Sequence, residues 1–129
     1  MSAPVAAEVL RELGAEVRCF QTVRGALLWY RDQLAKRLRV NRDPASVGTP
    51  TSREERDQRQ ATFAAVAVAI RDVKDIAWLV CWYETRYGDG VWLADRYGVS
   101  RWAFMRRMRR VEREVRERMQ EQGVVEEQG

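Results

Sequence analysis

Residues 90–119 read GVWLADRYGVSRWAFMRRMRRVEREVRERM, and they decide the fold of the C-terminal half of the chain. The stretch predicts a short helix over residues 91–97, a three-residue turn, and a long helix that begins at Arg101. Gly98 can adopt the left-handed backbone conformation that ends a helix. Ser100 can accept a hydrogen bond from a free N–H of the first turn of the next helix. The stretch therefore predicts a helix-turn-helix.

The side chains around this turn fit two helices that cross closely. Ala94 is small, so the second helix can approach it. We expect Leu93, Val99 and Phe104 to fill the space between the two helices, as a helix-turn-helix requires. An ordinary helical hairpin with a polar outer face would have a similar pattern, so packing alone leaves the function open.

The charge of the second helix favours DNA binding. Between residues 101 and 118 the sequence has eight arginines, no lysine and three glutamates. We expect the glutamates, Glu112, Glu114 and Glu117, to pair at helical spacing with Arg113, Arg116 and Arg118. Trp102 has two interpretations, packing against the core or contact with a thymine methyl group or a sugar. The predicted DNA-binding residues are Ser100, Arg101, Trp102, Arg106, Arg107, Arg109, Arg110 and Arg113.

Composition argues against an enzyme. Of the 129 residues 46% are hydrophobic, which is enough for a core. The net charge of +4 makes the chain mildly basic. There is no histidine, the commonest general base and metal ligand. The cysteines, Cys19 and Cys81, lack metal-ligand spacing, so we expect buried free thiols and a reducing cytoplasm. We predict no catalytic residues, no cofactor and no metal site.

The rest of the chain predicts an all-α fold of five to six helices with a C-terminal helix-turn-helix and a long final helix. The expected helices before the helix-turn-helix cover residues 2–13, 16–39, 52–71 and 72–87. The helix over 16–39 carries an apolar stripe (Phe20, Val23, Leu27, Leu34 and Leu38), and its opposite face is basic. That basic face is either a solvated surface or a second patch for phosphates or an acidic partner.

Domain boundaries follow from composition. We expect an N-terminal helical pair over residues 1–40, a linker over 41–52, and a helical domain over 53–121 that contains the helix-turn-helix (91–110). The linker has two prolines and a glycine, which do not hold a helix. Residues 122–129 are polar and acidic, and we expect a disordered tail. No signal peptide or membrane span is visible, so the expected location is the cytoplasm.

The segment from about residue 65 to 114 resembles sigma-factor region 4 and small phage transcription regulators. The matching positions are Leu93, Ala94, Gly98, Val99, Ser100, Arg101 and Phe104. In size and layout the chain is most similar to the Q-type late antiterminators of phages. The sequence departs from that pattern at Arg107, where a buried residue is more usual, and in the length of the second helix.

This resemblance implies a mechanism. The helix-turn-helix would bind double-stranded DNA near a phage late promoter, with Arg101, Trp102 and Arg106 as the best candidates for base edges. Phosphate contacts would come from Arg106, Arg109, Arg110 and Arg113. The protein would then load onto bacterial RNA polymerase and let it read through terminators.

Three alternatives remain open on the sequence. A small terminase subunit for DNA packaging also joins a helix-turn-helix to long helices, but assembles as a ring. A helix-turn-helix repressor needs no polymerase contact. A helical module could use its arginines to bind an acidic protein. The run Phe104, Met108, Val111, Val115, Met119 is either a coiled-coil seam for a homo-oligomer or packing within the chain.

Overall fold

The computed structural model of the chain describes residues 16–42, 52–85 and 89–126. These residues form five α-helices and no strand, which confirms the predicted all-α fold with a long final helix. The helices are α1 (Val23–Arg42), α2 (Arg53–Ile70), α3 (Ile76–Glu84), α4 (Asp89–Tyr97) and α5 (Arg101–Glu121). The helix predicted over residues 2–13, most of the linker (43–51) and the last three residues lie outside the described residues.

Helix α1 begins later and ends later than the sequence predicted. Its first turn is capped by Thr22, whose hydroxyl accepts the N–H of Gly25 over 3.0 Å and whose carbonyl accepts that of Ala26 over 3.2 Å. Residues 16–22 therefore lie outside the helix, and we were wrong to include them. The helix continues to Arg42, so the first two residues of the predicted linker are helical.

Helix α2 begins where the sequence predicted. The hydroxyl of Ser52 accepts the N–H of Glu55 over 3.2 Å, which caps the first turn. The apolar second half of the helix buries one face, and its other residues are only partly buried. The buried residues of this helix are Ala61, Thr62, Ala65, Val66 and Ala69.

The helix predicted over residues 72–87 is shorter at both ends. Asp72 and Asp75 have left-handed backbone conformations, with φ of 62° and 69°, and so form a turn before α3. At the other end, Thr85 is extended, and its hydroxyl donates to the carbonyl of Trp82 over 2.7 Å. Gly90, which we expected in a loop after this helix, belongs to the first turn of α4.

Helix α5 lies at the centre of the molecule and packs against all four other helices. The five residues Phe104, Met108, Val111, Val115 and Met119 are buried in this core, each at most 1% exposed. Of the two interpretations of this run, packing within the chain is the one that the structure shows. Because the chain itself covers this face, the face is not available as a coiled-coil seam for a homo-oligomer.

Helix α1, which precedes the predicted linker, shares this core. It packs against α2, α3 and α5, and Val23, Ala26 and Leu27 are buried. The described helices on both sides of residues 43–51 thus form a single hydrophobic core.

The disordered tail predicted from residue 122 was wrong for residues 122–126. Gly123 has a φ of 74°, which turns the chain back at the end of α5. Val124 and Val125 are buried, and the carbonyl of Val124 accepts the N–H of Phe20 over 2.7 Å. The burial of two valines and this backbone contact hold the segment against the start of the chain's described part.

Both cysteines are free, as predicted, but neither is buried. Cys19 and Cys81 are exposed. Cys19 precedes α1 in a segment outside any helix, and Cys81 lies on the outer side of α3, between the core residue Leu79 and the buried Tyr83. The expectation of buried thiols was therefore wrong.

Candidate nucleic-acid interface

The turn between α4 and α5 has the hydrogen bonds that end one helix and begin the next. Gly98 has a φ of 90°, and its N–H lies 2.9 Å from the carbonyl oxygen of Ala94. The N–H of Val99 donates to the same carbonyl over 3.1 Å, which makes a left-handed helix stop. The hydroxyl of Ser100 accepts the N–H of Ala103 over 3.2 Å at the start of α5. The predicted bounds of this turn are confirmed.

One of the residues that fill the space between α4 and α5 differs from the prediction. Leu93, Ala94 and Phe104 are buried, as predicted, but Val99 is 39% exposed. The left-handed turn at Gly98 directs the chain to the surface before Val99 is reached. Tyr97 fills the space instead, with its ring centroid 5.6 Å from that of Phe104.

Helix α5 presents basic side chains on the face opposite the core. We call Arg106, Arg109, Arg110 and Arg113 the arginine face; all four are exposed. They repeat at steps of three and four residues, so they share one side of the helix. Trp102 precedes them on the same side and is 71% exposed. From Trp102 to Arg113 this side is about 16 Å long, at 1.5 Å per residue.

The positive charge of this face is not compensated within the described part of the chain. None of its four guanidinium groups makes an ion pair or hydrogen bond there, and neither does that of Arg101. The second half of α5 is different, because Glu112 pairs with Arg116 over 3.6 Å and Glu114 with Arg118 over 3.1 Å. These two pairs were predicted. The uncompensated charge is therefore concentrated in the first thirteen residues of the helix, from Arg101 to Arg113.

The start of α5 contributes three of the predicted DNA-binding residues. The hydroxyl of Ser100 caps the helix by accepting a hydrogen bond, and Ser100 itself is exposed. Arg101 is exposed, and Trp102 does not pack into the core. The N–H groups and the positive end of the helix dipole lie at this point, which suits an approaching phosphate.

Arg107 differs from the other predicted DNA-binding residues. Its Nε donates to Oδ2 of Asp75 over 3.0 Å, and the hydroxyl of Tyr97 donates to the same oxygen over 2.8 Å. Burial alone would raise the pKa of Asp75, but these two hydrogen bonds, together with the positive charges of Arg107 and Lys74, lower it. The structure thus separates Arg107 from the arginine face, because its guanidinium group is engaged inside the chain.

The basic face predicted on α1 does not form one free surface. Arg24 donates to the carbonyl of Tyr83 over 3.2 Å, and Arg31 pairs with Glu84 over 2.8 Å. The guanidinium group of Arg37 lies 3.8 Å from the centroid of the Phe63 ring. These arginines connect α1 to its neighbours in the fold.

Sequence reasoning missed one surface feature beside the turn. Val91 and Trp92 on α4 are more than half exposed. The guanidinium group of Arg96 lies 4.7 Å from the centroid of the Trp92 ring. The spacing of four residues between Trp92 and Arg96 was the signal for this contact.

Comparisons with protein-family models, curated proteins and solved structures gave no match to this chain. Within residues 16–42, 52–85 and 89–126 no three acidic or cysteine side chains come together in a way that would hold a metal ion. None of the described helices combines the length and the apolar character needed to cross a membrane.

Proposed function

We propose that the chain binds double-stranded DNA through α4 and α5 and has no enzymatic activity. One observation carries this proposal: the arginine face is exposed, lacks partners in the described part of the chain, and follows a capped helix-turn-helix turn. A polyanion with regularly spaced phosphates is the partner that such a row of guanidinium groups fits best.

The binding geometry follows from the shape of α5. The N-terminal half of this helix enters the major groove, with Arg101, Trp102 and Arg106 nearest to the base edges. Arg106 also contacts a phosphate, together with Arg109, Arg110 and Arg113, which lie further along the helix. The intrahelical pairs Glu112–Arg116 and Glu114–Arg118 mark the end of the DNA-facing segment.

A salt titration tests this proposal. Binding to a fluorescent DNA duplex is measured by polarisation between low and moderate salt. Four phosphate contacts correspond to a slope of roughly −3.6 in a plot of log affinity against log salt concentration. A slope near zero would contradict DNA binding by the arginine face and would favour a protein partner.

The finer proposal is a phage transcription regulator that acts on RNA polymerase as a late antitermination factor in the cytoplasm of a bacterial host. It rests on the resemblance of Leu93, Ala94, Gly98–Arg101 and Phe104 to the helix-turn-helix of those regulators. A pull-down from a nuclease-treated bacterial lysate tests the polymerase contact. Recovery of polymerase subunits supports it; their absence leaves a helix-turn-helix repressor as the better assignment.

A small terminase subunit remains the second candidate. Its ring would need an interface between copies, and the apolar face of α5 does not supply one, because its five residues are buried within the chain. Sedimentation velocity separates the two candidates. A ring in solution favours the packaging protein, and a monomer or dimer that binds DNA favours the regulator.

A further inference from the structure

Three parts of the fold meet at one carboxylate oxygen. Oδ2 of Asp75, in the turn before α3, accepts hydrogen bonds from Tyr97, the last residue of α4, and from Arg107 on α5. The Asp75 side chain is 10% exposed and that of Arg107 is 31% exposed. A charge-assisted hydrogen bond that is shielded from water in this way is stronger and more directional than a surface pair.

Tyr97 is held from two further sides. Its ring meets that of Trp78 on α3 edge-on, with centroids 5.2 Å apart, and that of Phe104 on α5 at 5.6 Å. Helix α4 has only nine residues, so fixing its last residue fixes its C-terminal end. The turn at Gly98 follows directly and leads into the cap at Ser100.

The backbone of Asp75 adds a constraint of its own. Its φ of 69° is in the left-handed region, which non-glycine residues rarely adopt, although aspartate tolerates it better than most. In this backbone conformation, the carboxylate of Asp75 accepts the hydrogen bonds from Tyr97 and Arg107. The carboxylate thereby joins the turn before α3 to both helices of the helix-turn-helix.

We infer that Asp75, Tyr97 and Arg107 are positioning residues, which hold α4 and the start of α5 in the arrangement that binds DNA, and that Arg107 does not itself contact DNA. The inference rests on the proposed DNA binding in the first of its two experimental tests, and the second test needs no DNA. This inference replaces the sequence-based expectation that Arg107 contacts DNA. The guanidinium group of Arg107 supports DNA binding indirectly, through its hydrogen bond to Asp75.

The first readout is the salt dependence of DNA binding. Arg107→Met removes the bond to Asp75 but keeps most of the side-chain volume, and Arg106→Met is the matched control on the exposed side of the same turn of α5. We expect Arg107→Met to weaken binding about tenfold at every salt concentration with an unchanged slope. Arg106→Met should make the slope shallower by about 0.9, as expected for the loss of one phosphate contact. Arg107→Lys, which keeps a charge near Asp75, should restore part of the affinity.

The second readout needs no DNA. Cys19 is free and exposed, and it lies beside Phe20, which pairs with the segment after the end of α5. Asp95→Cys places a second thiol on the exposed side of α4, near the opposite end of α5, which is about 30 Å long. With Cys81→Ser as background, nitroxide labels at these two sites report the position of α4. We expect a narrow distance distribution for the parent and for Arg106→Met, and a broad or shifted one for Arg107→Met and Tyr97→Phe.

The two readouts separate the possible failures. If the parent does not bind DNA, the proposed function is wrong, and the label distances alone decide the inference. If Arg107→Met reduces the salt slope as Arg106→Met does, Arg107 contacts phosphate and the inference is overturned. Unchanged label distances in both Arg107→Met and Tyr97→Phe would also overturn it. If Arg107→Met fails to fold, Tyr97→Phe, which loses only a hydroxyl group, is measured in its place.

Discussion

The N–H of Val124 donates to the carbonyl of Met119 over 3.0 Å, and this bond ends α5 in the same way as the bond from Val99 to Ala94 ends α4. In both places a glycine with positive φ precedes the valine. The two stops differ in the environment of the valine, because Val124 is fully buried whereas Val99 is 39% exposed. The stop at Val124 locks the segment after α5 onto the core, and the stop at Val99 leads into the exposed start of α5.

This difference predicts that the same substitution destabilises the protein at one valine and has little effect at the other. Val124→Ala removes two buried methyl groups, so we expect a loss of about 1.5–2 kcal/mol in the free energy of unfolding, at ~0.8 kcal/mol per buried carbon plus the cavity. Val99→Ala is the matched control, with an expected change within about 0.5 kcal/mol. Urea unfolding followed by circular dichroism measures both. Equal effects would show that Val124 is not part of the core.

The glycines at 98 and 90 should respond oppositely to alanine. Gly98 has a φ of 90°, and no atom lies within 4 Å of an added Cβ, so the cost of Gly98→Ala is conformational, about 1–2 kcal/mol. Gly90 lies in the first turn of α4 with open space around it, so Gly90→Ala should stabilise by about 0.5–1 kcal/mol. Thermal melts of the two variants check the signs. A higher melting temperature for Gly98→Ala would contradict the left-handed turn.

Phe104 and Trp102 provide a further matched pair on α5. Phe104 is fully buried and packs against Tyr97 and Trp78, so Phe104→Ala should cost about 3–5 kcal/mol. Trp102→Ala should leave the free energy of unfolding within about 0.5 kcal/mol of the parent, because Trp102 is 71% exposed. We expect the tryptophan variant to lose DNA affinity instead. A thermal melt unchanged by Phe104→Ala would show that the core is misassigned.

Stability should fall at alkaline pH. Burial, and the hydrogen bond that the Tyr83 hydroxyl donates to Glu112, raise the pKa of this phenol above its ordinary value of 10.0. Above pH 10 the unfolded state therefore releases a proton that the folded state keeps, and the free energy of unfolding decreases as pH rises. Tyr83→Phe should flatten this decrease in part, since the pKa values of Tyr97 and Tyr30 are also raised. Urea unfolding at pH 8, 10 and 11 tests the sign; an identical pH dependence in Tyr83→Phe would contradict it.

The sequence predicts those parts of the fold that depend on neighbours along the chain. The cap at Ser100 and the stop at Gly98 each use a partner within a few residues, and both are confirmed. The segment after α5 is different. Val124 meets Phe20, more than a hundred residues earlier, so composition alone suggested disorder; the Gly123-Val124-Val125 pattern was the local signal that could have corrected it.

The same distinction applies to the candidate site. Helical spacing places Arg106, Arg109, Arg110 and Arg113 on one exposed face, as the structure has them. It does not separate Arg107 from them, because its partner Asp75 lies 32 residues earlier in the chain. The left-handed turn that presents Asp75 carries no glycine, so its conformation leaves no clear mark in the sequence.

The most direct test of the proposed DNA binding compares the parent with Arg106→Ala and Arg110→Ala in a salt titration of duplex binding. Both residues lie on the arginine face without an intrachain partner in the described residues. We predict that each variant folds like the parent, binds DNA more weakly and shows a slope shallower by about 0.9, the loss of one phosphate contact. If both variants bind DNA with the parent's affinity and slope, α5 is not the DNA-binding helix.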